Sequence, residues 1–471
     1  MTTFYWHDYE TWGANPAVDR PSQFAGVRTD ENLHIIGEPL VLYCRPPEDI
    51  WPQPEACLIT GITPQHAQLH GVSECEFIRQ IHRQLAQPQT CGVGYNSLRF
   101  DDEVTRYTLF RNFYDPYERE WRNGSSRWDI IDMVRLVYAL RPAGIEWPMI
   151  DGVPSFKLEN LSAANNLAHA NAHDAYSDVE ATIALAKLIK TKQPALYDYV
   201  LNSKSKHKVA AMIDTVNRKP LFHISSKFPS SRGCAGFVAP IAMHATNRNA
   251  VIVFDLSADP APLQLLNVEE IRARIFVKTE DLPEGIERIP LKLIHTNKCP
   301  ILGTTKLCDD KAAQRLGIDK QQCNKHWQQL CTMDIEKKIQ AVFAEDNFAP
   351  RTDPEQMLYN GFVPAEDKAT MKLLRQADVG RLSKQEFVFT DERLNAMILR
   401  FKARNYPESL TDGERSVWRE FKTQRLMHGG DNILSRQAFI TCIHELKSEL
   451  HDDTHKMHIL NALEIYEREN V

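Results

Sequence analysis

Two acidic residues stand two apart in the segment FYWHDYE: Asp8 and Glu10. The aromatic residues around them predict a β-strand, and a strand projects residues i and i+2 from one face. Both carboxylates then point together while Tyr9 turns away. Like charges held that close raise each other's pKa unless a cation sits between them. Oxygen ligands of this kind suit a hard divalent ion, Mg²⁺ or Mn²⁺. Asp101 in RFDDE and Asp178 in AHDAYSD are available to complete a two-metal cluster. Such a cluster stabilises both the attacking and the leaving oxygen in phosphodiester cleavage.

His173 precedes Asp178 by five residues. On a regular helix that spacing is about 140°, so one helix cannot aim both side chains at a single point. The surrounding residues resolve the conflict. Residues 175–191 predict a helix, with Val179, Ile183, Ala186 and Ile189 as an apolar stripe and Pro194 beyond its end. Asp174 is the expected N-cap, which leaves His173 on the loop before it, free to swing toward the site that Asp178 faces. An imidazole titrating near neutrality is suited to take a proton from an attacking water. Alone, a D-x-E pair reads as a solvated strand edge, and H-x₄-D as a cap and a surface acid. In this order along an alternating strand–helix pattern, they read as one site.

The elements that must position these residues follow from periodicity. FYWHDYE, FAGVRTD and LVLYCR predict strands, and 76–86 and the helix after Asp174 predict covering helices, giving an α/β mixed sheet over 1–193. From about 205 to 300 the pattern changes to short apolar strands, PLFHIS, GFVAPIAM, AVIVFDL and PLKLIHT, which predict a small β-rich domain. Helices are expected over 311–344, and EDNFAPRTDPEQ reads as a linker near 345–356. Beyond it MLYNGFV, DKATMKLLRQA, RLNAMILRFKARN and KMHILNALEIYERE predict an all-α domain. The expected division is therefore 1–193, 194–346 and 350–471.

Composition narrows the classes. A chain of 471 residues suits two or three domains. The net charge of −6 means that any contact with nucleic acid must use a local basic track. Ten cysteines without a C-x₂-C pair indicate neither a zinc ribbon nor a dithiol redox site, and a reducing cytoplasm is the expected compartment. No secretory signal is expected ahead of HDYE, and no apolar run approaches a membrane span.

The three segments resemble the DEDD exonuclease superfamily in its histidine-bearing branch: D-x-E, then N-x₃-F-D from Asn96 to Asp101, then H-x₄-D. HDYETWG, RPSQFAGVRTDENL, LITGITPQ, GYNSLRFDDEVTR, RNFYDPY, SRWDIIDMVR, YNGF and FKARNYPE are similar to the bacterial exodeoxyribonuclease I family, and the likeness covers essentially the whole chain. The resemblance implies a ribonuclease H-like domain, an SH3-like domain and a helical C-terminal domain. It implies two Mg²⁺ ions, replaceable by Mn²⁺, and removal of 5′-mononucleotides from the 3′ end of single-stranded DNA in repair or recombination. Asp8 would bridge both ions, Glu10 and Asp178 would complete one site, Asp101 the other, and His173 would act as base. A DEDD-type exoribonuclease is the alternative activity, and a catalytically inert binding protein the alternative class.

Between residues 99 and 141 every cationic residue is arginine, interleaved with nine aromatics. Arginine forks grip phosphates and aromatic faces stack on any base, which suits a single strand. The family pattern selects Arg106, Tyr117, Trp121 and Arg135. Lys157 in SFKLEN takes the place of the family's terminal-phosphate contact, where arginine is common, and Glu10 also touches substrate in the family. Lys204, Lys206 and Lys208 in SKSKHK, with Asn249, His295, Asn297 and Lys298, are further candidates. The resemblance also implies a monomer that recognises the acidic, Phe-ending tail of single-stranded-DNA-binding protein, with Arg141 and Lys219 among the basic residues on offer.

Overall fold

The HDYE segment forms the middle strand of a five-stranded sheet. In the computed structural model, which describes residues 2–167, 173–344 and 351–470, its strands are β1 (Thr3–Thr11), β2 (Pro21–Thr29), β3 (Leu40–Tyr43), β4 (Thr90–Gly94) and β5 (Ser126–Asp129), in the order β3-β2-β1-β4-β5. β1 runs antiparallel to β2 and parallel to β4. A parallel pair needs a crossover, and α1 (Glu74–Leu85) lies on that connection, burying Phe77, Ile78, Ile81 and Leu85. The strand period of two sends Tyr5 and Tyr9 into a core with Phe24 and Phe77. Asp8 and Glu10 are left for the opposite face. The β1–β2 register shifts between Glu10 and Thr11, immediately after the second carboxylate.

Two more helices carry site residues: α2 (Asp101–Arg111) and α3 (Ala175–Lys192). The chain folds as two compact units, one of residues 1–127, 168–183 and 350–471, the other of 128–167 and 184–349. Within the first, the C-terminal helices α4 (Asp367–Gln376), α5 (Glu392–Asn405), α6 (Asp412–His428), α7 (Arg436–Glu449) and α8 (Thr454–Glu469) pack on the layers around the mixed sheet. Phe401 and Met397 join Tyr107, Phe110 and Phe113 in one cluster, and Trp51 stacks on Phe439 at 5.0 Å. Arg404 grips Asp49 with two nitrogens, at 2.9 and 2.8 Å.

Two local expectations are corrected. Residues 345–350 of the predicted linker lie outside the described residues, but from Pro354 the segment is not a solvated connection. Pro354–Gln356 is a 3₁₀ turn whose Glu355 is buried and ion-paired with Arg20 at 2.8 Å and Arg404 at 2.5 Å. A polar composition signalled solvent, and buried arginines supplied the partners instead. MLYNGFV is not a helix: Leu358–Asn360 makes one 3₁₀ turn and Gly361 leaves it in an extended conformation.

The second unit holds an antiparallel five-stranded sheet of β6 (Leu221–Ile224), β7 (Ala235–Met243), β8 (Ala250–Asp255), β9 (Leu291–His295) and β10 (Ile301–Thr304), ordered β9-β8-β7-β6-β10. Val238, Val251, Val253, Ile294 and Leu302 fill its core. Four strands match the predicted ones; β10 is not among them. Among the described residues no helix is long and apolar enough to cross a membrane.

Candidate active site

Two elements converge on the face of β1 that carries Asp8 and Glu10. The first is the start of α2. Asn96 adopts a left-handed conformation (φ 60°), which asparagine tolerates better than most residues. A 3₁₀ turn follows at Ser97–Arg99, and α2 then begins at Asp101. A carboxylate in a helix's first turn is favoured by the backbone dipole. Asp101 is also tied to β1, because its Oδ1 accepts the Tyr9 backbone N–H at 3.0 Å. The Thr105 hydroxyl donates to the Asp101 carbonyl at 2.8 Å and lies 3.0 Å from the Tyr9 hydroxyl.

The second is the start of α3. Asp174 caps it as predicted, accepting the Ser177 N–H at 3.1 Å. His173 sits just before the cap with φ 65°, so the chain turns sharply there. A ligand atom from each of Glu10, His173 and Asp178 lies within 4.8 Å of the others. The left-handed turn at His173 thus solves the spacing problem that a continuous helix would pose.

Charge is concentrated here. Burial, reinforced by Asp101, Glu10, Asp178 and Asp174, holds the Asp8 carboxyl well above its usual range. Burial and the Asp178, Asp101 and Asp174 carboxylates push Glu10 up to about 9. Converging hard oxygen donors with a shortage of nearby positive charge match what a divalent cation requires. The residues present therefore fit the expected metal.

Next to Asp101, Asp102 points elsewhere. Arg119, and Arg127 at 3.1 Å, bind its carboxylate in the protein interior. Burial alone would raise this carboxyl, but the two guanidiniums hold it below the usual range. Arg106, expected on the DNA path, is 6% exposed. It is bound by Glu120 and Glu103 at 2.7 Å each and by the Tyr359 hydroxyl at 3.0 Å. Its guanidinium lies 5.3 Å above the Tyr117 ring, so it braces an aromatic residue. Trp121 is 63% exposed. Tyr117 and Trp121 line a cavity of about 230 Å³ together with Phe362 and Lys368. Sequence reasoning missed Phe362, although the YNGF motif that contains it was noted.

In the second unit Arg135 pairs with Asp132 at 2.6 Å. Exposed Lys157 lies 3.5 Å from Glu159. Exposed Lys206 opens the helix Lys206–Met212, whose Val209 is buried. Asn249 and Asn297 lie at the same end of the β8–β9 ladder, where the Asn249 carbonyl accepts the Thr296 N–H at 2.8 Å.

The mixed sheet and the converging acids with one histidine define a DEDD-type exonuclease. An exonuclease family model matches residues 5–186, an exonuclease I SH3-like domain model 204–345, and an exonuclease I C-terminal domain model 352–470. The chain is 44% identical over 474 residues to Escherichia coli exodeoxyribonuclease I, spanning 100% of this chain and 98% of the relative. It therefore belongs to the exodeoxyribonuclease I family. A solved E. coli exonuclease I in complex with a dA16 oligonucleotide superimposes with a TM-score of 0.97 at 44% identity, covering 100% of both chains. The zinc-ion-bound form of an E. coli exonuclease I–ssDNA complex gives 0.96 at 43% identity, covering 100% of this chain and 99% of that one.

Proposed function

We propose that this exonuclease degrades single-stranded DNA from the 3′ end, releasing 5′-mononucleotides, with two Mg²⁺ ions held by Asp8, Glu10, Asp101 and Asp178. The convergence of Glu10, His173 and Asp178 within 4.8 Å carries the reading. The solved ssDNA complexes of E. coli relatives support the substrate, and the zinc-bound form supports a metal requirement. When bound, divalent cations supply the positive charge that stabilises the attacking and leaving oxygens. His173 takes the proton from the attacking water. Tyr117 and Trp121 stack on bases, while Lys157, Arg135, Lys206, Asn249 and Asn297 contact the strand further along. Arg106 acts by holding Tyr117. The three segments 1–193, 194–346 and 350–471 are assigned as exonuclease, SH3-like and helical parts.

The cytoplasm of a bacterium is the proposed setting, in keeping with ten cysteines that form no disulfide. The Phe-ending tail of single-stranded-DNA-binding protein is the proposed partner. Titration with a tail peptide should show binding that is lost with the final Phe; equal binding without it rejects the partner. A time course on 5′-labelled single strands with Mg²⁺ tests the activity. A DNA ladder shortening from the 3′ end is expected, with matched RNA and blunt duplex cut poorly. Release of the label as the first mononucleotide, or faster cutting of RNA, overturns the assignment.

A further inference from the structure

Gln23 lies on β2 directly opposite Glu10 in the β1–β2 register. It is 2% exposed, yet both ends of its amide are engaged. Its Oε1 accepts the Ala175 backbone N–H at 3.1 Å. Its Nε2 donates to Asp174 Oδ2 at 3.0 Å and to the Tyr43 hydroxyl at 3.2 Å. The amide orientation is dictated by its partners, because an N–H needs an acceptor and a carboxylate needs a donor. Asp174 uses its other oxygen to cap α3 through Ser177. One side chain thus clamps the two residues that directly follow His173, at the point where the chain leaves a left-handed conformation.

From this geometry we infer that Gln23 is a positioning residue, which locks the turn 173–175 against β2 so that His173 and Asp178 stay registered with Glu10. A strand-to-turn clamp serves a purpose here. His173 lies ahead of the helix Ala175–Lys192, and a left-handed backbone is sparsely populated without support from the surrounding structure. The inference rests on the site proposed above.

The test uses the full-length protein with a 5′-labelled oligothymidylate. Gln23→Met keeps the length of the side chain and removes all three hydrogen bonds. Partners that orient ligating or catalytic groups typically cost about 10- to 100-fold when removed. The expected result is a kcat fall of that order, weaker Mn²⁺ binding by calorimetry, and unchanged DNA affinity in EDTA. Gln23→Glu should be at least as impaired, because it sets a carboxylate against Asp174. Combining Gln23→Glu with Asp174→Asn exchanges donor and acceptor while keeping the net charge and the cap, and should recover most of kcat and Mn²⁺ affinity. Glu10→Gln serves as the control for the site itself. If Glu10→Gln is inactive while folded Gln23→Met keeps parental kcat and Mn²⁺ binding, the clamp is refuted and the site stands. Failure of the exchanged pair to recover beyond Gln23→Glu refutes the clamp as well, and decides the matter should Gln23→Met not fold. An active Glu10→Gln overturns the site instead.

Discussion

Replacing Trp121 by alanine separates DNA binding from folding, because of where its ring lies. The side chain is 63% exposed, so truncation removes little buried surface, and stability should change by no more than about 0.5 kcal/mol. Its neighbour Tyr117 differs. That ring is 5.7 Å from Phe362 and 5.3 Å below the Arg106 guanidinium, so Tyr117→Ala also removes packing against both, while Arg106 keeps its carboxylate partners. Stacking on a base is worth about 1–3 kcal/mol by alanine substitution, which converts to roughly 5- to 150-fold in Kd. Trp121→Ala should therefore weaken binding by that factor at an unchanged melting temperature, with kcat at saturating DNA near the parental value. Tyr117→Ala should lose affinity and lower the melting temperature together. Fluorescence anisotropy of a labelled oligothymidylate in EDTA reads binding without cleavage, and thermal melting reads the fold. Trp121→Ala binding within about twofold of parent would refute a stacking role.

Other perturbations test different parts of the molecule. Asp8→Ala should reduce Mg²⁺-dependent cleavage by several orders of magnitude in a folded protein, since electrostatic stabilisation supplies most of the rate; near-normal cleavage rules out the metal assignment. Asp102→Asn strips Arg119 of its buried carboxylate and should cost about 3–5 kcal/mol in urea unfolding. The Asp102 carboxyl is lowered in the folded state, so its contribution is present above about pH 3.8 and is lost as pH falls below that. Parent and variant should therefore converge in stability on acidification; a constant difference down to strongly acidic pH contradicts the ion pair. Replacing Lys204, Lys206 and Lys208 together should lower the salt slope of single-strand binding by about 0.7 for each phosphate no longer neutralised. An unchanged slope assigns this helix to solvent.

Features that depend on short-range periodicity were legible in the amino-acid sequence. A strand period of two puts Asp8 and Glu10 on one face and Tyr9 in the core, and the observed Tyr9–Phe24 packing at 4.8 Å follows from that alternation. The cap at Asp174 and the helix limits after it were legible for the same reason, since capping is decided within one turn. Tertiary structure decided which polar residues face inward. Eight arginines between 99 and 141 look alike in sequence, yet Arg106, Arg111, Arg119 and Arg127 are buried in ion pairs. Glu355 reads as linker and is instead a buried counter-ion to Arg20, 335 residues earlier in the chain. Gln23 lies in the quoted segment RPSQFAGVRTDENL, but its type and spacing say nothing of its partners, which appear only when β2 meets the turn after His173. Ion-pair and hydrogen-bond partners are chosen by proximity in the folded chain, where burial makes an unpaired charge costly. No local pattern of residue types encodes that proximity.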